Sequence, residues 1–217
     1  FIVIGFAGHA TDGAKFRYNL TKLQNSYLET AASSPMRGQC HAGNSKPIAP
    51  QNACEYGGAE IRVAVYGDSH GVELAYALSS QLKKYETGLK HLTHSACIRS
   101  SKPKNANFPC QIWARNALAQ LRASPDISHI VITYRLNADL FGPHEGIYPD
   151  QPNLYTNAWR SDIMNTLKAD IEALIASGKT VIFVLQSPEL PMPMEELVIR
   201  PRADKSDIRG AKTAWWD

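Results

Sequence analysis

Between Ile61 and Pro191, apolar runs suited to strands alternate with amphipathic stretches suited to helices. That alternation constrains the fold more than any other feature of the chain. "IRVAVYG" (61–67) is short, apolar and rich in β-branched residues, which reads as a buried strand. In "GVELAYALSSQLKKYE" (71–86), Leu74, Leu78 and Leu82 recur at helical spacing and predict an amphipathic helix. "GLKHLTHSAC" (88–97) reads as a second strand, and "CQIWARNALAQLRA" (110–123) as a helix with Ile112, Leu118 and Leu121 on its apolar stripe. "HIVITYRLN" (129–137) is a third strand, continuous enough to be covered on both faces. "NAWRSDIMNTLKADIEALIASGK" (157–179) predicts a long helix with Trp159, Ile163, Leu167, Ile171, Leu174 and Ile175 turned inward and Gly178 at its end. "TVIFVLQSPELP" (180–191) is the fourth strand, stopped by prolines.

Alternation of this kind predicts a three-layer α/β/α sandwich around a parallel sheet. In such folds, sites form where strand C-termini meet the loops that follow them. Residues just after each strand therefore carry the functional reading. Upstream, residues 8–60 hold no sustained periodicity beyond a short helix around Lys22 to Ala32, and residues 33–58 read as a long loop.

Composition narrows the classes. Hydrophobic residues at 44% and charged residues at 20% exclude a disordered chain, and a net charge of +3 without basic runs argues against nucleic acid. The four cysteines fall as two near pairs, Cys40 with Cys54 and Cys97 with Cys110, each enclosing a polar loop. Local pairing is the expected connectivity among the three that four cysteines allow; reduced thiols in a cytosolic protein are the alternative. Oxidised pairs would place the domain outside the cytoplasm. The apolar opening "FIVIGFAGHA" lacks the basic start of a signal peptide and is too short to span a bilayer. The expectation is a domain carried across by a preceding membrane segment. No cluster has metal-ligand spacing, so no metal is expected.

The first strand runs into Gly67-Asp68-Ser69-His70, at a strand-to-helix turn. Such a turn lifts Ser69 Oγ toward solvent beside a helix N-terminus whose N–H groups suit an oxyanion. The alternative is a capping serine with Asp68 as turn former. After the third strand, Asn137 is placed to add an oxyanion hydrogen bond, or else to close the strand in an Asx-turn.

These stretches carry a resemblance. "YGDSHG" looks like block I of the SGNH hydrolase superfamily, and "RLNA" is similar to its Gly-x-Asn-Asp block III. More narrowly, GDSH, a cysteine pair before the first strand, another in "HSACIRSSKPKNANFPC", and "GKTVIFVLQSPELP" resemble the periplasmic SGNH domain fused to acyltransferase family 3 membrane proteins. The opening "GHATDGAKFRYN" resembles the linker after the last membrane helix of such proteins.

The resemblance implies the SGNH, flavodoxin-like form of the sandwich. Residues 1–60 would be a linker and disulfide-stapled extension from an upstream membrane domain, and 61–217 an SGNH domain incomplete at its C-terminus. It also implies O-acyl transfer, commonly acetyl, to lipopolysaccharide O-antigen or another envelope polysaccharide, in the periplasmic domain of an inner-membrane protein. Acetyl-CoA would be the ultimate donor through the membrane domain; no cofactor in this domain, no nucleic-acid partner and a monomeric state are the expectations. Ser69 matches the nucleophile and Asn137 the oxyanion-hole asparagine, with Asp68 and His70 supporting the turn.

Three departures follow. Arg135 stands where the superfamily has glycine, to bind an anionic sugar or pair with a carboxylate. The block II glycine has no clear counterpart between Ser95 and Cys97. The family's C-terminal D-x-x-H, source of base and acid, does not precede the final "AWWD", so a truncated chain is expected.

Of the seven histidines, His94 is the one internal candidate for a base and a candidate substrate contact. His144 and Tyr148 in "FGPHEGIYPDQPNLYTNAW" are further candidate substrate contacts, with Tyr155 and Trp159 available to stack on sugars, although core packing suits Trp159 better. His91 and His129 read as structural, and His9 and His41 as loop residues without an assignable role. A free-standing carbohydrate or lipid esterase, and a catalytically silent sugar-binding module, stand as alternatives.

Overall fold

A computed structural model of the chain describes residues 21–30, 32–58, 60–101, 108–143, 152–186 and 189. Backbone contacts divide the chain into two units, whose described residues fall within 33–186 in one and within 21–32 with 189 in the other. Within the latter, α1 (Lys22–Thr30) is a helix opened by a reciprocal cap. Thr21 Oγ1 accepts from Gln24 N at 3.2 Å while Gln24 Oε1 accepts from Thr21 N at 2.9 Å.

The larger unit is built on a five-stranded sheet in the order β1-β3-β2-β4-β5. Its strands are β1 (Glu55–Tyr56), β2 (Glu60–Gly67), β3 (Thr87–Thr93), β4 (His129–Thr133) and β5 (Thr180–Phe183). β2, β3, β4 and β5 pair in parallel, which requires covering helices on the way back, and the chain supplies them. They are α3 (Gly71–Leu82), α4 (Phe108–Ala123) and α6 (Asn157–Ala176); two short helices, α2 (Arg37–Cys40) and α5 (Leu136–Phe141), sit in connections.

Period-two alternation sorts the two faces. Ala64 and Tyr66 of β2, Leu92 of β3 and Ile130 and Ile132 of β4 pack with α4 and α6 residues such as Ala117, Leu121, Ile163 and Leu174. Val63, Val65, Leu89 and Val131 point the other way, against Ala75 of α3 and its flanking Leu74, Leu78 and Leu82. Layers and sheet agree with the sandwich that the alternation predicts.

Local expectations are adjusted in four places. The loop before β2 contributes an antiparallel edge strand: β1 pairs Glu55 with Lys90, and the buried Lys90 ammonium meets Glu55 Oε1 at 2.7 Å. That strand is two residues long, too short for periodicity to reveal. In α3 the buried stripe is Val72, Ala75 and Ser79, with the leucines at its margin. Ile112 is 39% exposed and Ile175 55% exposed, because α4 turns Trp113, Ala114, Ala117, Leu118 and Leu121 inward and α6 turns Ile163, Leu167, Asp170 and Leu174. Apolar character alone did not fix which neighbour of a stripe is buried. Finally, β3 and β4 end earlier than their apolar runs, at Thr93 and Thr133.

Both cysteine pairs are disulfides, Cys40–Cys54 and Cys97–Cys110. The first closes a loop that begins where α2 ends; its cysteines lie 14 residues apart, a span for which closure removes about 3 kcal/mol of unfolded-state entropy. Strand order matters for function: the chain leaves β2 for β3 on one side, then crosses back to β4 on the other. The crevice between the ends of β2 and β4 is thus the topological switch point.

β2 and β4 approach too closely there for any side chain at Gly67, where a Cβ would lie 1.8 Å from the Thr133 carbonyl oxygen. Gly67→Ala is expected to cost about 3 kcal/mol or more, read as a lowered urea midpoint with an unchanged slope. A midpoint matching the parent chain would refute this account of the junction.

Candidate active site

The Asp68 carboxylate organises the switch point. It is only 3% exposed, and each of its oxygens is used. Oδ1 accepts from His70 N at 2.8 Å, closing an Asx-turn, and Oδ2 accepts from Arg135 N at 2.8 Å, holding the exit of β4. Asp68 N donates to the Thr133 carbonyl at 3.3 Å, and the Asp68 carbonyl accepts from Gly71 N at 3.1 Å. Gly71 opens α3 where a Cβ would meet Thr93 Cγ2 at 2.9 Å and Thr133 Cγ2 at 3.3 Å. The His70 imidazole is exposed, with Nδ1 3.6 Å from Asp68 Oδ1.

Ser69 lies between these anchors and is partly exposed. Neither its Oγ nor its N–H has a hydrogen-bond partner among the described residues. Its carbonyl accepts from Val72 N at 3.4 Å and from an Arg37 guanidinium nitrogen at 3.2 Å. Asn137 sits in the first turn of α5, two residues past the Arg135 amide that Asp68 holds, so it stands at the same sheet edge as Ser69. Its backbone N–H donates to Gln186 Oε1, just beyond β5, at 3.0 Å, and its carboxamide has no hydrogen-bond partner among the described residues. Two unengaged donors and an unengaged hydroxyl at one crevice suit a carbonyl carbon attacked at Ser69 and an oxyanion stabilised beside it.

Sequence reasoning missed the brace behind this turn. Arg37 Nε donates to Glu73 Oε1 at 2.9 Å and a terminal nitrogen donates to Oε2 at 2.7 Å, a two-pronged pair that also receives Ser34 N at 3.3 Å. Burial alone would raise the Glu73 pKa; the Arg37 and Ser34 hydrogen bonds outweigh it and hold the carboxyl below its ordinary range. Arg37 thus joins α2, the helix that ends at Cys40, to the Ser69 turn and α3. The available signal was slight: an acidic residue in the first turn of the helix, and an arginine close to Cys40.

The histidines divide plainly. His94 is buried, its N–H donating to the Gly67 carbonyl at 3.1 Å, its Nδ1 3.0 Å from the Ser95 carbonyl oxygen and its ring 5.2 Å from that of Trp113. Burial holds its pKa down, and it lines a cavity of about 430 Å³ with Ile48, Pro50, Ile112 and Trp113. His91 is buried on β3, and His129 starts β4 at the opposite end of the sheet beside Ser128. His144 and Tyr148, like His9, fall outside the described residues. Tyr155 and Trp159 face each other at 5.8 Å; Trp159 packs on the core and donates Nε1–H to the Asp139 carbonyl at 2.9 Å.

A second carboxyl was also missed. Asp139 of α5 has a buried Oδ2 without a hydrogen-bond partner among the described residues. Burial and then the Asp68 charge push its pKa from 3.8 up to about 8, against the opposing pull of Arg135. The Arg135 charge, from the loop that leads into α5, opposes that rise without offsetting it.

With this geometry in place, the comparison with known families is decisive. Residues 39–214 match the family model described as an SGNH domain (fused to AT3 domains). The chain belongs to this family. No curated protein matches it. The SGNH match begins in α2, one residue before Cys40, and so takes in both cysteine pairs together with the Ser69 and Asn137 loops. It identifies an SGNH-type acyltransferase domain with a mostly parallel sheet. No helix among the described residues is long and apolar enough to cross a membrane.

The Asp139 environment gives a pH signature for this SGNH domain. The folded carboxyl keeps its proton up to about pH 8 whereas the unfolded one releases it near 3.8, so the folded state binds the proton more tightly. That stabilisation is complete below the unfolded pKa and is lost as pH rises toward the folded one. Asp139→Asn should gain stability over the parent on going from about pH 4 to about pH 8, by on the order of a few kcal/mol in urea unfolding. A constant difference across that interval would contradict the assignment.

Proposed function

We propose that this SGNH domain transfers an acyl group, acetyl in the simplest case, through an ester on Ser69 to a hydroxyl of a cell-envelope polysaccharide such as lipopolysaccharide O-antigen. The observation that carries this reading is the unengaged Ser69 hydroxyl on a turn that Asp68 clamps to the loop bearing Asn137. Membership of a family whose SGNH domains are fused to AT3 domains supports an acyl donor delivered by a membrane acyltransferase domain in the same polypeptide. Two disulfides support a periplasmic setting. Acetyl-CoA would then be used at the membrane domain, on the other side of the bilayer from this one.

In this mechanism Ser69 Oγ attacks the acyl carbonyl while a general base takes its proton. The Ser69 N–H and the Asn137 carboxamide donate to the oxyanion, and the donor oxygen leaves as the tetrahedral intermediate collapses. A sugar hydroxyl attacks the acyl-serine in the second half, releasing Ser69. Asp68 does not touch the reacting atoms; it fixes the spacing between the two loops. Arg37 and Glu73 hold the turn from behind.

Two variants test this in the full-length membrane protein. Ser69→Ala should abolish polysaccharide O-acetylation, followed by NMR of the purified glycan, with expression unchanged; persisting acetylation would overturn the nucleophile role. Asn137→Ala should slow transfer about 100-fold without altering the melting temperature, the cost expected for one oxyanion donor. A rate within a few fold of the parent would remove Asn137 from the oxyanion hole.

A further inference from the structure

A second serine at the same edge is built more elaborately than Ser69. Ser95 follows β3 in an exposed turn, and its Oγ lies 2.9 Å from His41 Nε2. His41 Nδ1 lies 2.8 Å from Thr93 Oγ1, which is in turn 2.6 Å from His91 Nε2. His91 Nδ1 ends the series 2.7 Å from the Tyr56 hydroxyl. Five side chains from three separate segments thus form an unbroken chain of hydrogen bonds, with an exposed hydroxyl at one end and a half-buried phenol at the other.

One arrangement of protons that leaves Ser95 donating runs the length of the chain. Ser95 Oγ–H donates to His41 Nε2, His41 Nδ1–H to Thr93 Oγ1, Thr93 Oγ1–H to His91 Nε2, and His91 Nδ1–H to the Tyr56 oxygen. For Ser95 to donate, His41 must be neutral, since a protonated ring donates at both nitrogens. Burial first, with Arg37 and His94 adding to it, keeps the His41 pKa below its ordinary value, and burial takes His91 down to about 4. A hydroxyl bonded to a base, and the base oriented by a third group, is the arrangement that activates a serine nucleophile.

Backbone geometry provides an independent indication. Ala96, next to Ser95, has a φ of 46°, in the left-handed region that favours glycine, although alanine occupies the position. The turn is held there by Cys97, by the Ser95 N–H to Ala42 carbonyl bond at 2.9 Å, and by the His94 N–H to Gly67 carbonyl bond at 3.1 Å. Residues kept in such conformations by their surroundings cluster at functional sites. The Gly67 bond also ties the Ser95 turn to the end of β2, the strand that runs into the Ser69 turn.

We infer that Ser95 is a second acyl-accepting serine, activated by His41 within the Tyr56–His91–Thr93–His41–Ser95 chain, whose substrates are small acyl esters. The Ser95 Oγ–C bond forms as its proton passes to His41 Nε2. The ester C–O bond then breaks, and the same proton goes to the departing oxygen, leaving O-acyl-Ser95 and a free alcohol. Thr93, His91 and Tyr56 are positioning residues that fix the His41 tautomer. The inference does not depend on the role of Ser69.

The test uses the chain carrying Ser69→Ala, treated with 4-nitrophenyl acetate. Nitrophenolate release gives the rate, and peptide mass mapping locates the acetyl group. One acetyl is expected on Ser95, absent in the added Ser95→Ala variant, whose exposed hydroxyl leaves the melting temperature unchanged. His41→Gln should slow acetylation about 100-fold, as loss of a general base does. Tyr56→Phe, which removes only the far hydroxyl, should slow it severalfold and decides the matter if the His41 variant does not fold. A Ser69→Ala chain without acetyl on Ser95, or a rate unaffected in the folded variants, overturns the inference.

Discussion

The geometry of the candidate site rests on one buried carboxylate. Asp68 spends one oxygen on the turn that presents Ser69 and the other on the amide that begins the Asn137 loop. A carboxylate this deeply buried is tolerated only when its lone pairs are met by well-placed donors, and here backbone N–H groups meet them. Because both donors belong to the main chain, the distance between two loops at the ends of neighbouring strands is set by backbone geometry. Gly67 and Gly71 complete the junction by removing the side chains that would hold β2 and α3 away from Thr133.

Around that carboxylate the charges are graded rather than uniform. Glu73, bonded to Arg37, is held ionised, whereas Asp139, buried without a partner for Oδ2, is held protonated at neutral pH. Two acids placed near one crevice with their pKa values pushed apart give it both a fixed negative charge and a neutral carboxyl. The neighbouring imidazoles of His41, His91 and His94 are all shifted toward the neutral form by burial. An edge furnished in this way favours proton transfer over ion binding, in keeping with an acyl-transfer domain.

Much of the frame is legible in the residues. The apolar runs marked four of the five strands because burial on two faces demands continuous hydrophobicity, and the helices showed in their spacing. Glycine and aspartate at the end of "IRVAVYG" announced a strand-to-helix turn, and the short separations within each cysteine pair suited the disulfides that form. Where the reading slipped, the cause was local. Ile112 and Ile175 lie at the margins of their stripes, and a rotation of a few tens of degrees moves them from core to solvent. β1 is too short to have a period, and it exists because β3 offers it an edge.

What the sequence determined by itself was the order of elements, the faces they bury and the chemistry placed directly after each strand. These follow from interactions between residues a few positions apart, which a linear pattern records. Only the tertiary structure decided that Arg37 meets Glu73, that Asp139 loses its solvent, and that Tyr56, His91, Thr93, His41 and Ser95 touch in series. Apart from the strand pair His91 and Thr93, those partners lie tens of residues apart or depend on burial by distant elements. Nothing in a local pattern joins them until the parallel sheet aligns its strand ends and the first disulfide draws the preceding loop over that edge.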